Sequence, residues 1–382
     1  MIPTLLQGLA VLALALFGTA FQARLIGTAP SLVPLALGLA FGTLAAFAVA
    51  QGRLERLLRG RGTLVIGACT VLVLVALLVL GRRYRGGLYL PGRINPSELV
   101  KLGTVFFVAG VLDRADGRPS RWFFAGTGAV ALLAAAAGDF GLVAQIALTV
   151  AAMLFAASWV WGLSAFGVIA AGAVVAAICP LGHLATRFAV WRDPLSDATG
   201  AGWQTLQGLV AVLRGGVAGV GYGFGEADQV PIVTSDFVYA ALAEDFGLLG
   251  CMVLLAVWGF VLLRALSTAR RAGEEGCMAA TYVATGLAAS LAVQIVLNVA
   301  GVLNALPMTG IPLPLISHGG TSLMVTLAMC GVLVGLSASL TFSPPAVSAA
   351  RTRGGRGSGG GRKGTSRSPR PARRCNKSAS GS

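Results

Sequence analysis

Long apolar segments recur along most of the chain, and short polar stretches separate them. A helix needs about 20 mostly apolar residues to cross the hydrocarbon core of a bilayer. The segments that reach or approach this length are 5–20, 32–50, 63–80, 97–112, 122–137, 140–160, 163–181, 237–263, 278–303 and 321–340. They are continuous rather than alternating, which indicates helices and not the strands of a membrane barrel. The pattern therefore predicts an all-α integral membrane protein, a polytopic bundle of about ten transmembrane helices.

The composition agrees with a lipid environment. Hydrophobic residues make up 56% of the chain and charged residues only 11%, with a mean hydropathy of +0.81. Soluble domains carry about 25% charged residues, so this composition argues against a soluble protein. In lipid, every backbone N–H and C=O needs a partner inside the protein, because no water is available to provide one.

The positive charge is concentrated at the C-terminal end. Residues 351–382 hold ten Lys or Arg and no acidic residue, out of a formal net charge of +15. We therefore predict a membrane domain over 1–345 and a disordered basic tail over 346–382. A nucleic-acid partner is not expected. The tail either touches anionic membrane lipid or is a solubilising extension without a specific role.

The distribution of Lys and Arg predicts the orientation. The basic loops at 53–61, 114–121 and 264–271 fall on one side of the membrane if both termini are cytoplasmic. One loop opposes this rule, because Arg82, Arg83 and Arg85 lie between the third and fourth segments, on the predicted outer side. Either the topology is wrong there or the loop meets an anionic ligand.

A long polar stretch, 182–235, forms a large predicted outer loop between the seventh and eighth helices. Connections of this length are usually functional or disordered. The mixture of Arg187, Gln204 and an alternating glycine run over 219–225 indicates a structured loop. The glycines are predicted to let the backbone approach a ligand closely.

Ionisable residues at the ends of apolar segments are functional candidates, because burying them in lipid is costly. Glu98 and Lys101 are three residues apart and can pair on one helix face; the alternative to a functional role is an ion pair that fixes helix packing. Asp236 stands where the outer loop enters the eighth helix, and Glu244 follows two turns deeper. Asp236 suits a general base or a helix N-cap, and the residues alone do not separate these roles.

Two further segments interrupt the apolar pattern. Asp139 lies in a tight turn, 138–141, where it is either a cap or a functional carboxylate. The segment 306–322 contains three prolines and several glycines at membrane depth. Irregular backbone is tolerated there only when protein or a water-filled cavity covers it. Transporters also bind substrate at broken helices, so transporter and enzyme both remain open.

Five segments in order resemble the motifs of the SEDS family, which includes FtsW, RodA and SpoVE. Residues 95–101 look like its QPSE..K motif with Asn95 for Gln, and 138–141 look like PDxG with Gly138 for Pro. Residues 202–207 resemble GYQ..Q with Trp203 for Tyr. Residues 228–250 and 298–322 resemble the segment with the catalytic Asp and the GipLPfiSyGG segment, with His318 for Tyr. The family's RRW appears as Arg-Arg-Tyr at 82–84, about two residues further from its neighbouring motif.

The resemblance implies a peptidoglycan glycosyltransferase in the bacterial cytoplasmic membrane that polymerises lipid II on its outer face. Its expected catalytic residue is Asp236, with Asp228 and Glu244 as supporting acids. The expected cavity residues are Glu98, Lys101, Arg187, Gln204, Gln207, Asn298 and Ser317. The resemblance also implies a class B penicillin-binding protein as the cross-linking partner. It does not decide between cell division and cell elongation, with a slight preference for an FtsW-like role.

In this hypothesis, Asp236 accepts the proton of the acceptor hydroxyl, and a lipid pyrophosphate leaves. Developing negative charge needs cations, and the candidates are Arg82, Arg83, Arg85, Arg187 and Lys101. No cofactor is firmly implied, although a divalent cation, Mg²⁺ or Mn²⁺, is a further candidate. Two other functions remain as alternatives: a lipid II flippase and a non-catalytic scaffold for the penicillin-binding protein.

Overall fold

The structure is a computed structural model that describes residues 2–28, 32–58, 60–84, 87–90, 96–178, 183–226, 230 and 232–342. Its helices are α1 (Ile2–Ile26), α2 (Val33–Ala50), α3 (Arg53–Leu58), α4 (Gly62–Leu80), α5 (Ser97–Arg114), α6 (Arg121–Ala136), α7 (Phe140–Ala157), α8 (Trp159–Ile178), α9 (His183–Arg192), α10 (Trp203–Gly215), α11 (Val238–Glu274), α12 (Met278–Val302) and α13 (Gly320–Phe342). Two strands, β1 (Arg82–Tyr84) and β2 (Gly87–Tyr89), form an antiparallel hairpin.

Each predicted transmembrane segment coincides with one helix. Among the described residues, seven helices are long and apolar enough to cross a membrane: α1, α2, α4, α7, α11, α12 and α13. The apolar helix α6 and the apolar stretch Trp159–Gly172 of α8 are shorter, and α5 carries Glu98 and Lys101 in its first turns. The prediction of an all-α polytopic membrane protein is confirmed, with one small hairpin added at the basic loop.

The large loop before α11 is structured, as its composition indicated. It contains α9, a 3-10 turn over Pro194–Asp197 and α10. The predicted tail, 346–382, lies outside the described residues.

Small residues let the helices of the bundle approach one another closely. At the contact of α2 with α13, a Cβ on Gly331 would lie 2.1 Å from the Gly42 carbonyl oxygen, and one on Gly335 would lie 2.5 Å from that of Ala46. Close backbone contact of this kind replaces the hydrophobic driving force that is missing between helices in lipid. Helix α12 packs against α5, α7 and α11, which places its polar side chains at the centre of the bundle.

Helix α11 is broken at Gly247, whose φ of 65° and ψ of −168° are not helical. The break frees backbone groups on both sides, and the glycine-rich stretch after α10 bonds to them. Val220 N donates to Glu244 O at 2.9 Å, and Gly221 N donates to Asp245 O at 3.0 Å. On the other side of the break, the amides of residues 248 and 249 donate to the carbonyls of residues 216 and 217. The backbone groups freed by the break therefore have hydrogen-bond partners inside the protein, as a lipid environment requires.

At this junction, the backbones approach so closely that a residue larger than glycine would not fit. A Cβ on Gly219 would lie 2.3 Å from the Asp245 carbonyl oxygen, and one on Gly215 would lie 1.9 Å from that of Ala243. The close approach that the glycine run was predicted to allow is made here to α11. As a result, the first two turns of α11, which follow Asp236, are tied to the outer loop.

We expect Gly247→Ala to destabilise the protein by about 2 kcal/mol or more, through backbone strain and overpacking. Its Cβ would lie 2.3 Å from Gly219 N and 2.4 Å from Val217 O, at a positive φ. Gly167→Ala is the matched control, because nothing lies within 4 Å of its Cβ position. Thermal unfolding of both variants in one detergent measures the difference. Equal melting temperatures would contradict the steric argument.

Candidate active site

Asp236 lies in the turn that immediately precedes α11, and it is partly exposed. Its backbone is held from the side of α12. Asn298, which is fully buried, donates from Nδ2 to Asp236 O at 2.9 Å and to Ile311 O at 2.8 Å. One amide thus joins the turn of Asp236 to the non-helical segment between α12 and α13, residues 303–319, which we call the broken segment.

The broken segment also bonds directly to this turn. Ser317 Oγ donates to Ser235 O at 2.5 Å and accepts from Leu313 N at 2.7 Å. The backbone amide of His318 donates to Thr234 O at 2.7 Å. Three consecutive carbonyls, of residues 234 to 236, therefore have partners in α12 or in the broken segment. These hydrogen bonds are what allow non-helical backbone inside a membrane protein.

Arg187 of α9 approaches Asp236 across Gly310. Its Nη1 donates to Met308 O at 3.0 Å. A Cβ on Gly310 would lie 3.6 Å from Asp236 Oδ2 and 3.9 Å from Arg187 Nη2, so both charged groups border the same small space. The structure thus brings together two of the residues that the sequence singled out.

The surroundings of Asp236 favour its protonated form. Burial raises the pKa of this carboxyl above its ordinary value, while a hydrogen bond from the Ser235 side chain and the charge of Arg187 act in the opposite direction. A carboxyl with a raised pKa binds a proton more strongly when ionised, so it is a better general base than an exposed aspartate. Its partial exposure leaves it accessible to a substrate.

Glu98 and Lys101 form the ion pair that their spacing predicted. Glu98 Oε2 and Lys101 Nζ are 2.7 Å apart, and both side chains are buried. Lys101 Nζ also donates to Gln294 Oε1 at 3.1 Å, and Ser322 Oγ donates to Glu98 Oε1 at 3.2 Å. The pair therefore links α5 to α12 and α13.

Gln294 and Gln145 were missed by the sequence argument. Gln294 Nε2 donates to Pro312 O at 2.9 Å, and Gln145 Nε2 donates to Gln294 Oε1 at 3.2 Å. Gln294 therefore connects the Glu98–Lys101 pair to the broken segment next to Asp236. The available signal was a glutamine inside an apolar helix, where a polar side chain needs a partner.

A family model described as cell cycle protein, FtsW, RodA and SpoVE, matches residues 19–341. The chain belongs to this family. It is 34% identical over 320 residues to a probable peptidoglycan glycosyltransferase FtsW of Alcanivorax borkumensis, across 78% of this chain and 80% of that protein. It is 32% identical to the peptidoglycan glycosyltransferase MrdB of Escherichia coli K12, across 64% of this chain and 68% of that protein.

The solved structures of family members have the same fold. One chain of a peptidoglycan synthase complex, described as coordinating polymerization and crosslinking, aligns with a TM-score of 0.68 at 25% identity, over 88% of this chain and 98% of that chain. The rod shape determining protein RodA of Thermus thermophilus aligns with a TM-score of 0.58 at 24% identity, over 87% and 95% of the two chains.

In this family member, Glu244 has a different environment from Asp236. It is buried two turns into α11, where its Oε1 lies 3.7 Å from Arg214 Nη1. The neighbouring Asp245 pairs with Arg24 of α1 at 3.1 Å. The described contacts of Glu244 thus lie at the junction with the glycine run, and its role as a supporting acid stays a prediction. Asp228 lies outside the described residues.

Gln204 and Gln207 lie one turn apart on α10, and both are partly exposed. This helix packs close to the turn of Asp236, because a Cβ on Gly208 would lie 2.5 Å from the ring of Phe237. The structure therefore places α10 beside the site, while contact of the two glutamines with a substrate stays a prediction.

The basic outer loop forms the β hairpin. Arg82 is exposed and pairs with Tyr89 across the two strands, and Arg83 pairs with Leu88. Arg85 lies outside the described residues. The backbone of Arg82 and Arg83 therefore lies in the first strand of the hairpin, and contact of the arginines with pyrophosphate stays a prediction.

Asp139 is an N-cap. Its Oδ1 accepts from Leu142 N at 2.9 Å, at the start of α7, and its Oδ2 accepts from Ser97 Oγ at 3.0 Å. The capping interpretation is confirmed, and the same carboxylate joins α7 to the first residue of α5.

We expect Lys101→Met to destabilise the protein by about 3–5 kcal/mol, because it leaves the buried Glu98 carboxylate without its partner. Adding Glu98→Gln to this variant should recover part of the loss, since the uncompensated charge is then removed. Thermal unfolding of the wild type, both single variants and the double variant measures the coupling. A double variant less stable than either single variant would contradict the ion-pair argument.

Proposed function

We propose that this chain is a peptidoglycan glycosyltransferase that polymerises lipid II into glycan strands on the outer face of the cytoplasmic membrane. The observation that carries the proposal is Asp236, a partly exposed carboxyl whose backbone is held at three consecutive carbonyls. Membership of the FtsW/RodA/SpoVE family and the names of the relatives support this activity. A fixed base beside an accessible space is what glycosyl transfer to a hydroxyl requires.

In the proposed reaction, Asp236 takes the proton of the 4-hydroxyl on the acceptor GlcNAc. That oxygen attacks the anomeric carbon of the donor sugar, and the bond to the lipid pyrophosphate breaks. A single displacement inverts the configuration at the sugar. The raised pKa of Asp236 supports its assignment as the base.

The leaving pyrophosphate needs positive charge as it forms. Arg187 is the described cation beside Asp236, and its bond to Met308 O holds it in place. Arg82, Arg83 and Arg85 supply further charge from the hairpin in this proposal. Lys101 is bound to Glu98 and Gln294 instead, so we assign it to supporting the broken segment.

A divalent cation is a second candidate source of charge. Among the described residues, no group of three His, Cys, Asp or Glu side chains is arranged to hold a metal. Mg²⁺, however, usually keeps several waters and binds substrate phosphates, so the pyrophosphate of lipid II would supply ligands for it in this proposal. If bound, the ion would neutralise the leaving pyrophosphate.

The proposal includes the setting of the enzyme. Both termini are assigned to the cytoplasm by the distribution of Lys and Arg, which places Asp236 on the outer side. We infer a class B penicillin-binding protein as the cross-linking partner. This inference is supported by the similarity to one chain of a complex that coordinates polymerization and crosslinking.

We expect Asp236→Asn to lower the rate of lipid II polymerisation by at least about 100-fold, since an amide cannot accept the proton. Its melting temperature should be unchanged or higher. Glu226→Gln is the matched control, because Glu226 is an exposed acid on the same outer loop. Chain formation from labelled lipid II by the purified protein, alone and with its partner, is the measurement. The acid limb of the wild-type pH–rate profile should lie at higher pH than for an aspartate with an ordinary pKa, because burial raises the pKa of Asp236.

The same preparations separate the alternative functions. A flippase would move lipid II across vesicles without forming glycan chains. A scaffold would make the Asp236→Asn gene complement a deletion fully. Near wild-type polymerisation by Asp236→Asn would exclude this residue as the base.

We expect Arg82→Glu combined with Arg83→Glu to raise the KM for lipid II, more strongly at low salt, because exposed charges are screened. Arg53→Glu is the control, because Arg53 is an exposed arginine on the predicted cytoplasmic side. Unchanged kinetics of the hairpin variant would exclude its role in binding pyrophosphate.

The divalent cation is tested by running the same assay in EDTA and again after adding Mg²⁺ or Mn²⁺. If the cation is required, the activity falls in EDTA and recovers when the metal is added. Full activity in EDTA would exclude the cation.

A further inference from the structure

The turn of Asp236 has one more support, and it comes from α1. Gln22 is 5% exposed, and its Nε2 donates to Thr234 O at 3.0 Å and to Ile316 O at 2.8 Å. We propose that Gln22 is a positioning residue for the reaction, which holds the turn of Asp236 against the broken segment. The inference rests on the proposed polymerase function.

The geometry of α1 brings Gln22 to this place. One turn earlier, Gly18 allows direct contact with the broken segment, because a Cβ there would lie 2.1 Å from Leu315 O. Leu315 itself has a positive φ of 63°, so the segment makes a tight bend against α1. This close approach brings the Gln22 amide within reach of two carbonyls at once.

Both carbonyls belong to non-helical backbone. Thr234 lies in the turn before α11, and Ile316 lies in the segment before α13. The primary amide of glutamine has two N–H donors, and Gln22 directs one to each segment. A single side chain therefore joins three parts of the fold, and no other type of side chain of this length offers the same two neutral donors.

Gln22 acts through the backbone. Its hydrogen bonds go to the carbonyls of Thr234, two residues before Asp236, and of Ile316, and not to the reacting carboxyl. Removing the amide leaves the buried Ile316 carbonyl without this donor, and such groups move to find another partner. A misplacement of about 1 Å in a reacting group can lower a rate about 100-fold. The expected effect is therefore on kcat rather than on the binding of lipid II.

The same helix contains a matched control. Gln7 is also a buried glutamine of α1, with no exposed surface. Within the described part of the chain, neither its Oε1 nor its Nε2 has a hydrogen-bond partner. Gln7→Met therefore makes the same change of side chain in the same helix, but breaks no bond to the site.

The experiment compares full-length Gln22→Met, Gln22→Asn and Gln7→Met in polymerisation of labelled lipid II. Gln22→Met should lower kcat about 10–100-fold with KM within about twofold of wild type. It should also shift the acid limb of the pH–rate profile to lower pH, because a loosened turn exposes Asp236 and removes part of the burial that raises its pKa. Gln22→Asn, which keeps the amide donors on a shorter side chain, should have a kcat between Gln22→Met and wild type. Gln7→Met should behave as wild type.

The outcomes separate the hypotheses. Equal kinetics of Gln22→Met and Gln7→Met would overturn the positioning role. A loss of activity by Gln22→Met without any shift of the acid limb would overturn it as well, since it would indicate a loss of folded protein. If Gln22→Met does not fold, Gln22→Asn gives the same test through its kcat and pH profile. A wild type that forms no glycan overturns the proposed function and this inference with it.

Discussion

The arrangement of the site depends on hydrogen bonds to the three backbone carbonyls of residues 234 to 236. A helix satisfies its own carbonyls, but this turn cannot, and backbone groups that are shielded from water need partners inside the protein. The partners come from α1, α12 and the broken segment: the amides of Gln22 and Asn298, the hydroxyl of Ser317 and the backbone of residue 318. Because these donors lie on different elements, the turn is placed only when those elements have packed together.

Regular helical structure is interrupted at two places, and the backbone groups freed at each are bonded by another part of the protein. Gly247 interrupts α11, and the glycine-rich backbone after α10 bonds to the groups freed there. The segment between α12 and α13 is bonded by Asn298, Gln294 and Gln22. The turn of Asp236 is bonded to this second segment. Because this non-helical backbone is hydrogen-bonded to buried groups, the carboxyl of Asp236 can border an accessible space while the side chains that hold its turn remain buried.

The charged groups fall into two classes. Glu98 and Lys101 compensate each other within 2.7 Å and are both buried, so they are suited to support rather than to proton transfer. Asp236 is only partly compensated by Arg187 and remains partly exposed. Groups with perturbed pKa values, which cluster at functional sites, are often found where charge compensation is incomplete in this way. The contrast favours Asp236 over the other acids of α5 and α11 as the reactive group.

The sequence by itself determined the membrane class, the long helices and the family, because hydropathy over about 20 residues and the order of short motifs are local properties. It also placed Asp236, Asn298 and Ser317 in motifs that converge in the fold. The tertiary structure alone decided the partners: Gln22 donates to Thr234 O, Gln294 donates to Pro312 O, and Glu244 lies beside Arg214. The glycine run, interpreted from sequence as a close approach to a ligand, approaches α11. The physical reason is that a hydrogen bond between distant segments depends on how whole helices pack, and no local pattern encodes that distance.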